Sequence, residues 1–153
     1  CLVGSEMCIR DSPNSRLSAI SYPLTTTGRS SSMIKDYKDL IMWQKSMTLA
    51  EETYAIVKLL PKEETYALSD QMRRAAVSVP SNIAEGYQRK SDGYIKNFLN
   101  MARGSNAELE TQLLLCIRLG YISKTDAQKA LQLTEELSKM LSGFINKLSN
   151  SVR

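Results

Sequence analysis

The sequence predicts an all-α protein, an antiparallel up-down-up-down bundle of four helices. Three observations carry this expectation. Four segments of the 153-residue chain repeat apolar residues at spacings of three and four, no segment shows the two-residue alternation of a strand, and short connections with helix-stopping residues separate the segments.

The first helix is expected over about residues 39–60. Leu40, Trp43, Met47, Ala50, Tyr54 and Val57 draw one stripe along it, and Pro61 ends it. The second carries a seam of Leu68, Met72, Ala75 or Ala76, Val79, Ile83 and Tyr87, with Ser69 a candidate cap and Gly86 or the 88–92 stretch its end. Pro80 falls inside that seam. It removes an amide and frees the carbonyl of Ala76, so the second helix is expected to kink or split there.

The third helix starts near Ser91 or Asp92 and runs through Ile95, Phe98, Leu99, Ala102, Leu109, Leu113 and Cys116 until Gly120 stops it. Gly104 stands mid-helix, where glycine costs about 1 kcal/mol against alanine, which points to a close helix approach. Ser123 with Asp126 approximates a capping box for the fourth helix, whose heptad seam is Ala127, Ala130, Thr134, Leu137, Leu141, Phe144 and Leu148. Each helix also holds apolar residues beyond its seam, including Ile41, Ile56 and Leu60, the run 113–117, and Leu131, Leu133 and Met140. A bundle buries one stripe per helix, so the surplus points to a homo-oligomer.

Composition removes many functions. The chain has no His, which excludes Ser-His-Asp and Cys-His nucleophiles, Glu-x-x-His di-iron sites and His-containing zinc sites. Cys1, Cys8 and Cys116 have neither metal spacing nor disulfide arithmetic. Gly86 and Gly93, or Gly104, make no phosphate loop, and Glu85, Glu108 and Glu110 have no nucleophile beside them. No catalytic residue, metal or cofactor is therefore expected. The longest apolar run, Leu113 to Ile117, is far short of the ~20 residues that span a bilayer, and no secretory signal precedes it. A cytoplasmic location without membrane contact follows as the expectation.

Residues 1–32 are rich in Ser, Thr, Pro and Gly and lack apolar periodicity, so they read as a disordered tail beside a bundle domain at 33–153. The string CLVGSEMCIRDS resembles a translated sequencing adaptor, so the tail is expected to be a translated adaptor or upstream read-through, with Met33 the expected start.

Three stretches are distinctive: YKDLIMWQKSM at 37–47, LSDQMRRAAVSVPSNIAEGYQRKS at 68–91 and FLNMARGSNAELETQL at 98–113. Over roughly residues 34–148 the chain resembles the 23S rRNA-intervening sequence protein family, first noticed as products of insertions in bacterial large-subunit ribosomal RNA genes. The accessory variability determinant proteins of diversity-generating retroelements look similar in fold. The resemblance implies a four-helix bundle assembled into a ring, a pentamer by preference, with no assigned catalysis.

Two groups of residues are candidates for a site. On the second helix Asp70, Arg74, Ser78, Asn82, Glu85 and Arg89 form a polar stripe three or four apart. Ser78, Ser81 and Asn82 can repair the carbonyl that Pro80 frees, or the stripe can bind a ligand. In a hairpin of helices 2 and 3 centred near residue 90, Arg73 and Arg74 should face Ser105, Glu108 and Glu110, as ion pairs that set register or as cations gripping phosphate. The second group is charge. Between residues 73 and 103 six cations stand against two carboxylates, while the whole chain has a net charge of +4. Arg89, Lys90, Lys96 and Arg103 thus predict a basic surface near the helix 2/helix 3 turn. The expected function is a non-enzymatic oligomeric module that binds structured nucleic acid, RNA or DNA, through that surface. The alternative is a protein–protein scaffold whose charge serves solubility.

Overall fold

The computed structural model describes residues 36–89 and 91–150. The tail expected at 1–32 and Lys90 lie outside the described residues. Four helices run Ile41–Ile56 (α1), Leu68–Tyr87 (α2), Asp92–Arg118 (α3) and Lys124–Asn150 (α4), with short 3-10 turns at Tyr37–Asp39, Val57–Leu59 and Lys62–Glu64. Among the described residues there is no strand. The all-α four-helix bundle is therefore the observed fold. α1 is shorter than expected because its last turn tightens into the 3-10 turn before Pro61.

Around the core, α2 packs on α1 and α3, and α4 packs on α3 and α1. Contacts between α2 and α3 pair rising with falling numbers: Met72 Sδ with Cys116 Sγ at 3.6 Å, Ser78 with Ser105, Gly86 with Phe98. Between α1 and α4, Lys45 meets Glu136 and Glu52 meets Lys129 in the same descending order.

The seams of α2, α3 and α4 are where periodicity placed them. Met72, Val79, Ile83, Leu109, Leu113, Cys116, Leu137 and Leu141 are fully buried. The α1 seam is a correction. Met42, Ser46, Leu49, Thr53 and Ile56 are buried, whereas Trp43 and Ala50 are half-buried and Met47 and Tyr54 exposed. The inward face is disguised in sequence by two hydroxyls, which return to their own helix: Ser46 Oγ donates to Trp43 O at 2.7 Å and Thr53 Oγ1 to Leu49 O at 2.8 Å. So satisfied, each is carried inside at little cost.

α2 runs unbroken through Pro80, so the split expected there does not occur. Ser81 Oγ and Asn82 Nδ2 donate to Val77 O and Ser78 O rather than to the Ala76 carbonyl. The expected cap Ser69 is buried, and the α2 amide of Leu68 donates to Glu64 Oε2 at 3.3 Å instead. Gly104 is exposed with nothing within 4 Å of the position a Cβ would take, so it marks no close approach. That role belongs to Gly86, where an added Cβ would lie 3.0 Å from Phe98 Cβ. Gly120 ends α3 at φ +73°, and Ser123 and Asp126 exchange capping hydrogen bonds of 3.0 and 3.1 Å at the start of α4.

One polar side chain bridges helices inside the core. Asn106 of α3 is buried and its Nδ2 donates to the main-chain oxygen of Thr134 on α4 at 2.8 Å. Its Oδ1 has no partner among the described residues. At the loop end, Tyr121 Oη donates to Glu64 Oε1 at 3.1 Å, which holds the phenol above its usual pKa.

Candidate nucleic-acid interface

The polar stripe of α2 resolves into three internally satisfied groups. Residues four apart on a helix are neighbours, so Asp70 takes Arg74 and Glu85 takes Arg89 as ion pairs one turn away. Between them Asn82 Nδ2 donates to Ser78 O at 2.8 Å and lies 3.0 Å from Ser78 Oγ, which shares a 2.8 Å hydrogen bond with Ser105 Oγ on α3. Asn82 is buried and both serines are half-buried. The small hydroxyls let the two helices approach where a longer side chain would part them.

The expected pairing of Arg73 and Arg74 with Glu108 and Glu110 does not form. Arg74 is held by Asp70, Glu108 accepts from Gln112 Nε2 at 3.1 Å, and neither Arg73 nor Glu110 has an ion pair among the described residues. Two causes act together. The helix offers Arg74 a carboxylate one turn away at little ordering cost, and Arg73 and Glu110, though level in the register that Ser78 opposite Ser105 sets, stand on opposite flanks of the bundle, Arg73 toward α1 and Glu110 toward α4. Glu85, Glu108 and Glu110 do not converge either: Glu85 is paired, and Glu108 and Glu110 stand about 200° apart around α3.

The basic candidates separate into two surfaces. Arg89 lies 4.8 Å above the Phe98 ring centroid while paired with Glu85, so its charge is shared with a neighbouring carboxylate and an aromatic face. Phe98 touches the Gly86 position and therefore faces α2. Lys96 and Arg103, seven residues or about two turns apart, share the other flank of α3, toward α4. Lys96 is half-buried, Arg103 is exposed, and neither has an ion pair among the described residues. Acidic residues also reach this end. Tyr87 is pushed above its usual pKa first by burial and then by Asp36 and Asp39, which places negative charge beside the turn.

Sequence reasoning found an apolar surplus outside the seams, and Leu114 and Leu115 of its 113–117 run are exposed, but it missed Met47, Tyr54, Val77 and Met101 as part of that surplus and counted Ile56 and Leu60, which are buried. Spacing alone assigns Met47 and Tyr54 to the core, whereas they stand on the α1 flank beside α2, and Val77, Met101, Leu114 and Leu115 are exposed on α2 and α3. The signal that could have found them is the hydroxyl pair Ser46 and Thr53, seven residues apart on the true inward face. Among the described residues no group of His, Cys, Asp or Glu could hold a metal ion, and no helix is long and apolar enough to cross a membrane.

Fold and surface together define a four-helix bundle whose second and third helices are joined by a small-residue polar contact. Within that class, the 23S rRNA-intervening sequence protein family model matches residues 38–143, and the chain belongs to this family. It is similar to a crystal structure from Bacteroides thetaiotaomicron, a protein of unknown function from the S23 ribosomal protein family. The two share 29% identity and a TM-score of 0.64 over 69% of this chain and 98% of that one. No curated protein matches the chain.

Proposed function

We propose that the protein is a non-enzymatic binding module that works as an assembly of identical copies. The observation that supports this is the set of large apolar side chains left exposed on α1, α2 and α3, among them Met47, Tyr54, Val77, Met101, Leu114 and Leu115, although each helix already contributes a filled inward seam. Such a set on a small bundle is the mark of an interaction surface. Light scattering on the full chain at tens of micromolar tests it: a mass above one subunit is expected, and a monomer overturns the reading.

The assembled form binds structured RNA along the α3 flank of Lys96 and Arg103 in this reading. Their lack of carboxylate partners among the described residues supports it, as does the tie between the family and ribosomal RNA genes in its name. Arg89 takes a secondary part, since Glu85 already occupies it. Replacing Lys96 and Arg103 by Ala should weaken binding to a structured RNA uniformly across sequences. It should also flatten the salt dependence by about 0.7–0.9 in log–log slope for each phosphate that is no longer gripped. Absence of binding by the unaltered chain at low salt would turn the conclusion to a protein–protein scaffold.

A further inference from the structure

We propose that the end of the bundle opposite the α2/α3 turn docks on an anionic lipid surface, with Leu59, Tyr66 and Leu119 entering the headgroup layer and Lys58, Lys62 and Lys124 meeting its phosphates. The inference goes beyond the reading above, which concerns the flanks of the helices.

Two connections build this end, residues 57–67 between α1 and α2 and residues 119–123 between α3 and α4. Tyr121 Oη of the second donates to Glu64 Oε1 of the first at 3.1 Å, and Glu64 Oε2 accepts from the Leu68 amide at 3.3 Å. The two loops are thus fastened to each other. Val57, Leu60 and Ile122 are buried beneath them, so the connections have anchors of their own in the core. Other large side chains of the same loops stay outside: Tyr66 is 95% exposed, Leu59 56% and Leu119 51%. Among the described residues these are three of the five most exposed large apolar side chains, gathered at one end rather than scattered over the surface.

Charge names the partner. Lys58, Lys62, Arg118 and Lys124 stand at this end, all exposed and none with an ion pair among the described residues. Three carboxylates oppose them, and two are turned to internal donors: Glu64 to Tyr121 and Leu68, Asp126 to Ser123. Only Glu63 is exposed and without such a donor, and Asp70, one turn into α2, is balanced by Arg74. The end is left net positive. Most of its cations are lysines, flexible point charges suited to a diffuse anionic layer, whereas a single carboxylate or base edge is better gripped by the planar fork of arginine. Leucine has no ring to stack on a nucleobase but enters hydrocarbon readily, and the ring of tyrosine settles at the water boundary of a bilayer. Phospholipid headgroups above acyl chains offer both layers in that order. The expectation of no membrane contact rests on the lack of a spanning run, which a peripheral contact does not need.

The test is sedimentation of the full chain with vesicles of phosphatidylglycerol and phosphatidylcholine, beside vesicles of phosphatidylcholine alone. Binding to the anionic vesicles is expected at low salt, weakening as salt rises and about tenfold or more weaker on the neutral ones. Leu59→Ser, Tyr66→Ser and Leu119→Ser together should weaken it about tenfold or more, and so should Lys58→Gln, Lys62→Gln and Lys124→Gln together. All six side chains are exposed, so folding should persist, which circular dichroism melts check. If a triple variant unfolds, the single changes Tyr66→Ser and Lys62→Gln are expected to weaken binding in the same direction. Lys96→Ala with Arg103→Ala should leave vesicle binding unchanged. An unaltered chain that stays in the supernatant, equal binding to neutral vesicles, or variants that bind as tightly as the unaltered chain would overturn the inference. Variants that lose a structured RNA but keep the vesicles would assign the end to nucleic acid and overturn it as well. Light scattering judges the assembly reading separately, so either can fail without the other.

Discussion

The α2/α3 and α1/α4 pairs solve the same packing problem with different chemistry. α2 and α3 meet through atoms with no room to spare: a glycine against Phe98 Cβ, and Ser78, Ser105 and Asn82 joined by hydrogen bonds of 2.8–3.0 Å. α1 and α4 are tied at their rim by long flexible pairs, Lys45–Glu136 at 2.5 Å and Lys129–Glu52 at 2.6 Å. Short side chains fix a distance, and long charged ones tolerate a range of distances. The lesson is that the distinctive SVPSNIAEG and ARGS strings form the stiff contact, while the pair without such a motif is held loosely at its edge.

Breaking the stiff contact should have the largest effect. Gly86→Val pushes a branched side chain onto Phe98 and is expected to cost about 1–3 kcal/mol in a urea melt. Next comes Ser105→Ala, which removes the interhelical hydroxyl pair and is expected to cost about 0.5–1.5 kcal/mol. Gly104→Ala sharpens the comparison with the opposite sign: an exposed mid-helix glycine with open space around it should gain up to about 1 kcal/mol. On the loose pair, Lys45→Met should change stability by no more than about 1 kcal/mol, and high salt should erase even that.

The smallest effect is a pH dependence at the α4 end of the loose pair. Ser123 donates to Asp126 from its hydroxyl and its amide, which holds the carboxyl below its usual pKa. A folded pKa depressed in this way contributes stability above the unfolded pKa and loses it as pH falls through the folded one. Melts of Ser123→Ala across the acid range should therefore show a flatter decline than those of the unaltered chain.

Much of the fold is legible in the sequence because helices α2 to α4 keep their apolar spacing clean, as in Ala127 through Leu148. α1 misleads because a buried threonine and serine look polar in sequence and behave as small apolar groups once their hydroxyls turn back on the backbone. Gly104 and Gly86 are alike on paper, and only the neighbouring helix tells which one is crowded. The site is less legible. Residue numbers place Arg73 near Glu110 in height but do not say that the bundle stands between them. Nor does a count of cations reveal that Asp70 and Glu85 already occupy Arg74 and Arg89.

The bond from Asn106 to the Thr134 carbonyl has a consequence for the connection between α3 and α4. A slide of one helical turn, about 5.4 Å, would strip a buried amide of its acceptor, so the alignment of these helices is written into their middle. Their linker at 119–123 is released from that duty and serves others: Gly120 ends α3, Tyr121 reaches Glu64, Ile122 is buried in the core and Ser123 caps α4. Extra residues inserted there should therefore lower the melting temperature while leaving the alignment of α3 on α4 unchanged.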